Sequence, residues 1–296
     1  MSLSDMKILI AGGSGQLGSE LVMQAEARGL DVIGLSRQEL DITDFPEVER
    51  QVHALHPKLV INAAAYTAVD RAETETGQAY AVNRDGVANL AEACRAIGVP
   101  LIHVSTDYVF DGSKAGSYGE MDAVGPTGIY GASKLAGEQS AQMILNRHII
   151  LRTAWVYGLK GHNFVKTMLK LGRNREEIRV VADQFGCPTA AADIAGAALD
   201  IAGQTGGSND HWGLYHYCAD GVTSWHGFAT AIFDEARQFE EFRVEKIVPI
   251  KTAEYPTLAQ RPSNSALDCT KIREVFGIDP APWRQSLRQF IRALYV

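Results

Sequence analysis

Lys7-Ile-Leu-Ile-Ala-Gly-Gly-Ser-Gly-Gln-Leu-Gly18 decides the fold. An apolar run of strand type, Lys7–Ala11, enters a glycine-rich turn, and the turn opens a segment of helical spacing over Gln16–Arg28. Gly12, Gly15 and Gly18 keep a Gly-x-x-Gly-x-x-Gly spacing. At such a junction one glycine makes the tight turn, one lets backbone approach a pyrophosphate, and one lets helix and strand pack closely. The free amides and dipole of the helix N-terminus then favour an anion. Gly12, Gly15, Gln16, Leu17 and Gly18 are therefore candidate pyrophosphate-binding residues. An ordinary glycine turn is the alternative, and the rest of the chain argues against it.

Outward from this junction, strand and helix patterns alternate. Strands are predicted over Asp31–Leu35, Leu59–Asn62, Pro100–Ser105 and Ile149–Tyr157, and helices over Pro46–His56, Thr76–Ala96 and Tyr130–Asn146. Near-continuous apolar strands between helices imply a parallel sheet covered on both faces, hence an α/β, doubly wound Rossmann fold. After Gly158 the rhythm loosens. Helices are read over Asn163–Leu171 and Ala190–Ala202, from the caps Thr223 and Ser224 through Phe239, and at Cys269–Phe276 and Trp283–Tyr295. Arg179–Ala182 and Leu214–Tyr217 read as strands. The expectation is a dinucleotide-binding domain over 1–157 and a smaller C-terminal substrate-binding domain over 158–296, with about 190–217 returning to the first. Gly203–Asp210 reads as a polar, mobile loop.

The 296 residues carry a formal net charge of −7 with both signs interspersed, which gives no reason to expect nucleic acid or an anionic membrane as partner. No apolar run approaches the ~20 residues needed to cross a bilayer, and the start of the chain has no signal-peptide pattern. Cys94, Cys187, Cys218 and Cys269 lie far apart and off zinc-ligand spacing. They are read as reduced thiols of a cytoplasmic protein, and no metal site is expected.

Chemistry enters at Tyr130-Gly-Ala-Ser-Lys134, which sets a phenol and an ammonium on one helix face. A free tyrosine titrates at about 10, and a neighbouring cation favours the phenolate, so Tyr130 is a candidate proton donor tuned by Lys134. The fourth strand ends in Ser105-Thr106-Asp107, where a hydroxyl faces the ligand crevice. Thr106 there can bond a substrate carbonyl oxygen. Ala63, Ala64 and Ala65 after the third strand are small enough for a cofactor ring to pass. The second strand ends in Ser36-Arg37 rather than a carboxylate. Arg37 suits a 2′-phosphate, which favours NADPH and leaves NADH open. In the following loop, Asp41-Ile42, the aspartate accepts from an adenine amino group or caps the next turn. The indole of Trp155 can stack on a sugar ring and donate its N–H to it, or pack inside the protein.

With these motifs in order, the chain resembles the extended short-chain dehydrogenase/reductases over essentially its whole length. Within them it is most similar to the dTDP-4-dehydrorhamnose reductase family. The stretches that carry this are Asn62-Ala-Ala-Ala-Tyr-Thr-Ala-Val-Asp70, Ser105-Thr-Asp-Tyr-Val-Phe110, Arg152-Thr-Ala-Trp-Val-Tyr157, Asn163-Phe164, Asp183-Gln-Phe-Gly-Cys-Pro-Thr189 and Arg261-Pro262. The resemblance implies reduction of a 4-keto dTDP-sugar, with Tyr130 as proton donor, Lys134 on the nicotinamide ribose and Thr106 beside the phenol. It implies that Tyr66 and Thr67 line the cofactor, and that Thr67, Val69, Thr106, Asp107, Trp155, Asn163 and Arg261 meet the substrate. Some relatives dimerise through a metal-linked acidic cluster. Glu20 matches one part of it, but Ala192 replaces a second carboxylate, so a monomer or an unbridged homodimer is expected. Two other readings stand beside this one. An epimerase-reductase would need a further acid–base pair, where this chain has Asp107 and Tyr108. A regulatory subunit like that of methionine adenosyltransferase would not need Tyr130, Lys134 and Thr106 together.

Overall fold

All four residues of the first strand are buried, as a strand flanked on both sides by others must be. The computed structural model describes residues 6–205 and 211–296. The chain begins with β1 (Ile8–Ala11), α1 (Gln16–Ala27), β2 (Val32–Leu35), α2 (Phe45–Leu55) and β3 (Leu59–Asn62). Short helices α3 (Val69–Ala72) and α4 (Thr76–Tyr80) lead through a π-helical turn (Ala81–Asp85) into α5 (Gly86–Ile97). β4 (Leu101–Thr106), α6 (Ile129–Ile144), β5 (His148–Thr153) and β6 (Val156–Tyr157) follow. Next come α7 (Phe164–Asn174), β7 (Glu177–Val181), β8 (Phe185–Gly186), β9 (Thr189–Ala190), α8 (Ala191–Gln204) and β10 (Gly213–His216). The described chain closes with β11 (Thr223–Ser224), α9 (Trp225–Ala236), β12 (Lys246–Ile250), α10 (Thr270–Phe276) and α11 (Trp283–Tyr295).

Six strands form one parallel sheet in the order β10-β5-β4-β3-β1-β2. Alternate residues of β1 serve opposite faces. Ile8 and Ile10 meet Leu17, Leu21 and Ala25 of α1 and Ile194, Ala198 and Ile201 of α8. Leu9 and Ala11 meet Val48 and Val52 of α2 and Leu90 and Cys94 of α5. The sheet is thus wound on both faces, a Rossmann-type α/β architecture. A second apolar core joins α7, α9 and α11 through Val165, Leu169, Phe228, Phe233, Leu287 and Phe290. Beside it β7 and β12 pair in parallel.

Several elements differ from their sequence reading. The fifth strand is cut in two at Ala154-Trp155, because Trp155 sits in the left-handed region at φ 46° and breaks the ladder. The long helix read over Thr76–Ala96 contains the π-helical turn, which leaves its apolar period intact. β12 was not expected, since Lys246 and Pro249 weaken its strand pattern. Ser224 does cap a helix, accepting from Gly227 N at 3.0 Å, but that helix ends at Ala236. Of the expected loop Gly203–Asp210, Gly203 and Gln204 belong to α8, and 206–210 lie outside the described residues. The cysteines, distant in sequence, are all free thiols, and Cys218 Sγ and Cys269 Sγ stand 3.7 Å apart. Among the described residues no helix is long and apolar enough to cross a membrane.

Candidate active site

The glycine turn joins β1 to α1 at the C-terminal edge of the sheet. Gly12 has φ 81°, and a Cβ there would stand 2.7 Å from Ala64 N, so the turn lies directly on the backbone after β3. A Cβ on Gly18 would fall 2.0 Å from Gly12 O. No side chain caps α1, which leaves its first-turn amides open to an anion. Gln16 is held from the far side: its Nε2 donates to Val156 O at 3.2 Å, and Asn163 Nδ2 donates to its Oε1 at 3.0 Å. Asn163 also donates to Gly158 O (2.8 Å), and its Oδ1 accepts from Lys166 N to cap α7 (3.1 Å). Without a ligand, the Asn163 amide is thus engaged in internal bonds beside the turn.

At the end of β2, Ser36 donates through N and Oγ to Glu39 at 2.8 and 2.7 Å. A carboxylate thus stands at the end of β2 after all, three residues further on. Arg37 is exposed and makes a long 3.4 Å contact with Asp41. Asp41 Oδ1 accepts from Thr43 N and Oγ1 at 3.0 and 2.8 Å, the turn-capping alternative. The side chain of Ile42 is buried in the core between α2 and α5, so only its main chain is left to meet a ligand.

The loop after β3 is pinned by two asparagines. Ala64 N donates to Asn62 Oδ1 at 3.0 Å. Asn83, from the π-helical turn, accepts from Tyr66 N at 2.9 Å and donates to both Tyr66 O and Ser133 Oγ at 3.0 Å. It thereby ties Ala63, Ala64, Ala65 and Tyr66 to the helix that carries Lys134. Tyr66 OH donates to Glu75 at 2.7 Å. Thr67 is exposed and Val69 opens α3.

Thr106, at the end of β4, meets Tyr130 and Lys134 from α6. The Thr106 hydroxyl lies close enough to the Tyr130 phenol to act on its titration, and it donates to Asp107 Oδ1 at 3.0 Å. The half-buried Tyr130 ring stands edge-on to Tyr108, centroids 5.5 Å apart. Burial pushes the Tyr130 phenol up to about 12, with Thr106 opposing. Burial pulls the Lys134 ammonium down to about 8, with Glu138 opposing. Lys134 Nζ donates to Val104 O at 2.7 Å. Glu138 is itself locked by Arg152, at 2.9 and 2.6 Å. Asp107 is buried, its Oδ2 has no partner, and burial raises its carboxyl to about 6.

Trp155 does not offer its N–H to the cleft. Nε1 donates to Ser265 Oγ at 3.2 Å, and the indole stacks on Trp225 with centroids 3.5 Å apart. These contacts match the packing alternative read from the sequence. Arg261 pairs with Asp70 at 3.2 Å, keeps a buried Nε without a partner, and lines a cavity of about 770 Å³ with Phe164, Arg179, Trp225, Tyr255 and Thr257. Among the described residues no group of three or more His, Cys, Asp or Glu is placed to hold a metal ion. Sequence reasoning passed over Asn83 and His103. The one signal for Asn83 is a poor helix former in mid-helix.

The model of the family described as "RmlD substrate binding domain" matches residues 6–296. The chain is 47% identical over 290 residues to a dTDP-4-dehydrorhamnose reductase of Aggregatibacter actinomycetemcomitans, covering 97% of this chain and 98% of that protein. Its fold is similar to the solved structure of a dTDP-4-dehydrorhamnose reductase from Clostridium acetobutylicum, with a TM-score of 0.92 and 38% identity over 98% of this chain and 100% of that one. A Bacillus anthracis dTDP-4-dehydrorhamnose reductase solved in complex with NADP gives a TM-score of 0.90 and 38% identity, covering 97% and 99%. With the glycine turn, the Thr106–Tyr130–Lys134 group and a match that spans residues 6–296, this chain belongs to the RmlD family.

Proposed function

We propose that this chain uses NADPH to reduce the 4-keto group of dTDP-4-dehydro-L-rhamnose, giving dTDP-L-rhamnose. The observation that carries the proposal is the convergence of Thr106, Tyr130 and Lys134 at the C-terminal edge of β4, beside a turn where a Cβ would fill the space. The chain fits a dinucleotide. Gly12, Gly15, Gln16, Leu17 and Gly18 would form the cradle, α1 leaves its N-terminus uncapped, and Arg37, exposed and held only by a long contact with Asp41, would meet a 2′-phosphate. The NADP complex of the Bacillus anthracis relative supports the same choice of cofactor.

NADPH, when bound, supplies the hydride. The protein supplies the proton and the positions. Tyr130 is fully protonated at neutral pH, because burial holds its phenol up to about 12. It is therefore a donor with its proton in place, and it gives that proton to the substrate oxygen as negative charge builds there. The Thr106 hydroxyl shares the bond to that oxygen and fixes the phenol's direction. Lys134 would hold the cofactor ribose, and its charge favours the phenolate that remains. Among the described residues, Asp107 Oδ2 is the one buried carboxylate oxygen without a partner, which suits a sugar hydroxyl. Arg261, on the wall of the 770 Å³ cavity, suits the diphosphate. No metal bridge between copies is proposed: Glu20 is buried on α1, and Ala192 brings no carboxylate on the neighbouring α8.

The test is NADPH consumption, with product identification, over a panel of 4-keto and 4-hydroxy sugar nucleotides. Consumption with dTDP-4-dehydro-L-rhamnose and formation of dTDP-L-rhamnose are expected. No consumption with any 4-keto sugar nucleotide would overturn the reading.

A further inference from the structure

On β4, in contact with Lys134, His103 is wholly buried, and neither the glycine turn nor the proton donor uses it. Its Nδ1 lies 3.1 Å from Asn62 Nδ2, and its Nε2 lies 3.4 Å from Lys134 Nζ. Which ring nitrogen carries the proton follows from the neighbours. Ala64 N donates to Asn62 Oδ1, which fixes the orientation of the Asn62 amide. Asn62 Nδ2 can then only donate, so His103 Nδ1 must accept. Burial, with Lys134 beside it, holds the imidazole well below the usual histidine range, so the ring is neutral. A neutral ring with a bare Nδ1 carries its proton on Nε2, and Nε2 faces Lys134.

We infer that Asn62 and His103 act as a positioning pair that presents an N–H, not a lone pair, to Lys134, and so disfavours its ammonium form. A neutral amine at Nζ accepts from His103 Nε2–H while donating to Val104 O. An ammonium at Nζ meets the same Nε2–H donor to donor. The other titratable groups facing Lys134 are few. Along α6, Tyr130 is protonated and Glu138 favours the ammonium, but Glu138 is already bound by Arg152 from β5 and by Ser105 from β4. Asn83 from the π-helical turn donates to Ser133 of α6 and carries no charge. The downward pull on Lys134 by burial runs in the same direction as the His103 contact. This role rests on the place of Lys134 in the proposed reduction. Its consequence is that the charge on Lys134 titrates near the working pH, instead of being permanent.

The test begins on the cofactor-free enzyme with nitrogen-15-labelled histidine, the His103 signal being assigned through His103→Gln. Across neutral pH the ring nitrogens are expected to show the neutral Nε2–H tautomer. An Nδ1–H tautomer or an imidazolium would overturn the inference, and this measurement needs no substrate. The second arm is the pH profile of NADPH-driven turnover, whose alkaline limb is assigned to Lys134. In Asn62→Asp the carboxylate accepts from Nδ1–H and turns Nε2 into an acceptor. The limb should then move up by about one pH unit or more, a ten-fold gain in proton affinity. In His103→Gln, whose amide can keep accepting from Asn62 and donating to Lys134, the limb should stay in place. A lower kcat in Asn62→Asp with an unmoved limb would mean a merely structural role and would overturn the inference. If the tautomer is as expected but no 4-keto sugar nucleotide is turned over, the proposed function fails and the pair stands.

Discussion

The proposed role of Tyr130 as proton donor makes three residue-scale predictions at that site. Tyr130→Phe keeps the ring that packs on Tyr108 and removes only the donor. Turnover should fall by about 10²–10⁴-fold, as loss of general acid catalysis does, with NADPH affinity unchanged by fluorescence titration. Thr106→Val should cost less, because it removes a supporting bond. Asp107 gives a pH signature. Its folded carboxyl is raised from 3.8 to about 6, so the fold favours the protonated form. The stabilisation this brings is complete below the ordinary carboxylate range and is lost as pH rises to about 6. Above that, a buried carboxylate with a bare Oδ2 weakens the free enzyme by on the order of 2–3 kcal/mol. Asp107→Asn should therefore raise the melting temperature above pH 6, flatten its dependence between about 4 and 6, and weaken sugar-nucleotide binding. Identical melting curves at every pH would show that the carboxylate is not strained. Arg37, exposed and weakly held by Asp41, tests cofactor choice. A charged hydrogen bond to a 2′-phosphate is worth about 1.5–3 kcal/mol, so Arg37→Ala should raise the NADPH KM ten-fold or more and leave NADH nearly alone. Equal effects on both would remove Arg37 from the phosphate site.

At the scale of elements, what the sequence disclosed follows from how strands bury themselves. Strands covered on both faces read as apolar runs, which is why β1, β3 and β4 are evident before any coordinates. The break between β5 and β6 is silent, because Ala154 and Trp155 are as apolar as a strand requires, and nothing local announces the left-handed φ at Trp155, which stacks on the distant Trp225. The π-helical turn is silent too, since Val82 and Val87 keep a helical rhythm. In the candidate site, residues borne by local motifs were legible: Gly12, Gly15, Gly18, Thr106, Tyr130 and Lys134. Residues whose place depends on distant partners were not. Asn163 bonds Gln16 across 147 positions and Trp155 bonds Ser265 across 110, and neither pairing leaves a mark in sequence spacing. The break between β5 and β6 carries its own prediction. Trp155→Phe loses the bond to Ser265 and part of the stack, together about 1–3 kcal/mol. The melting temperature should fall by several degrees while sugar-nucleotide affinity changes little. A loss of affinity at constant melting temperature would return Trp155 to the substrate.

Across the whole molecule, the glycine turn and the second apolar core are joined through one pair of side chains. Gln16 belongs to the turn at β1. Asn163 caps α7, whose Val165 and Leu169 belong to the core shared with α9 and α11. The cavity lined by Phe164, Thr167 and Arg261 opens on that same helix. An anion that orders the turn also orders Gln16, and through it the N-terminus of α7. NADPH and a sugar nucleotide should therefore bind with positive coupling, each tightening the other by the same factor, as linkage requires. Couplings of this kind run to about 1–3 kcal/mol, or roughly 5–150-fold in affinity. The variant that isolates the link is Asn163→Asp. It keeps the oxygen that accepts from Lys166 N, so α7 stays capped, and it removes the N–H groups that reach Gln16 and Gly158. Asn163→Ala would also remove the cap, a loss of about 1 kcal/mol that would blur the result. The measurement is the dissociation constant of dTDP by calorimetry, with and without saturating NADPH. In the parent chain the ratio of the two should be well above one. In Asn163→Asp it should fall towards one, with some loss of melting temperature, because the new carboxylate oxygen faces Gln16 Oε1 and Gly158 O. A ratio that survives the substitution would mean that the two ligands communicate by another route, or not through α7 at all.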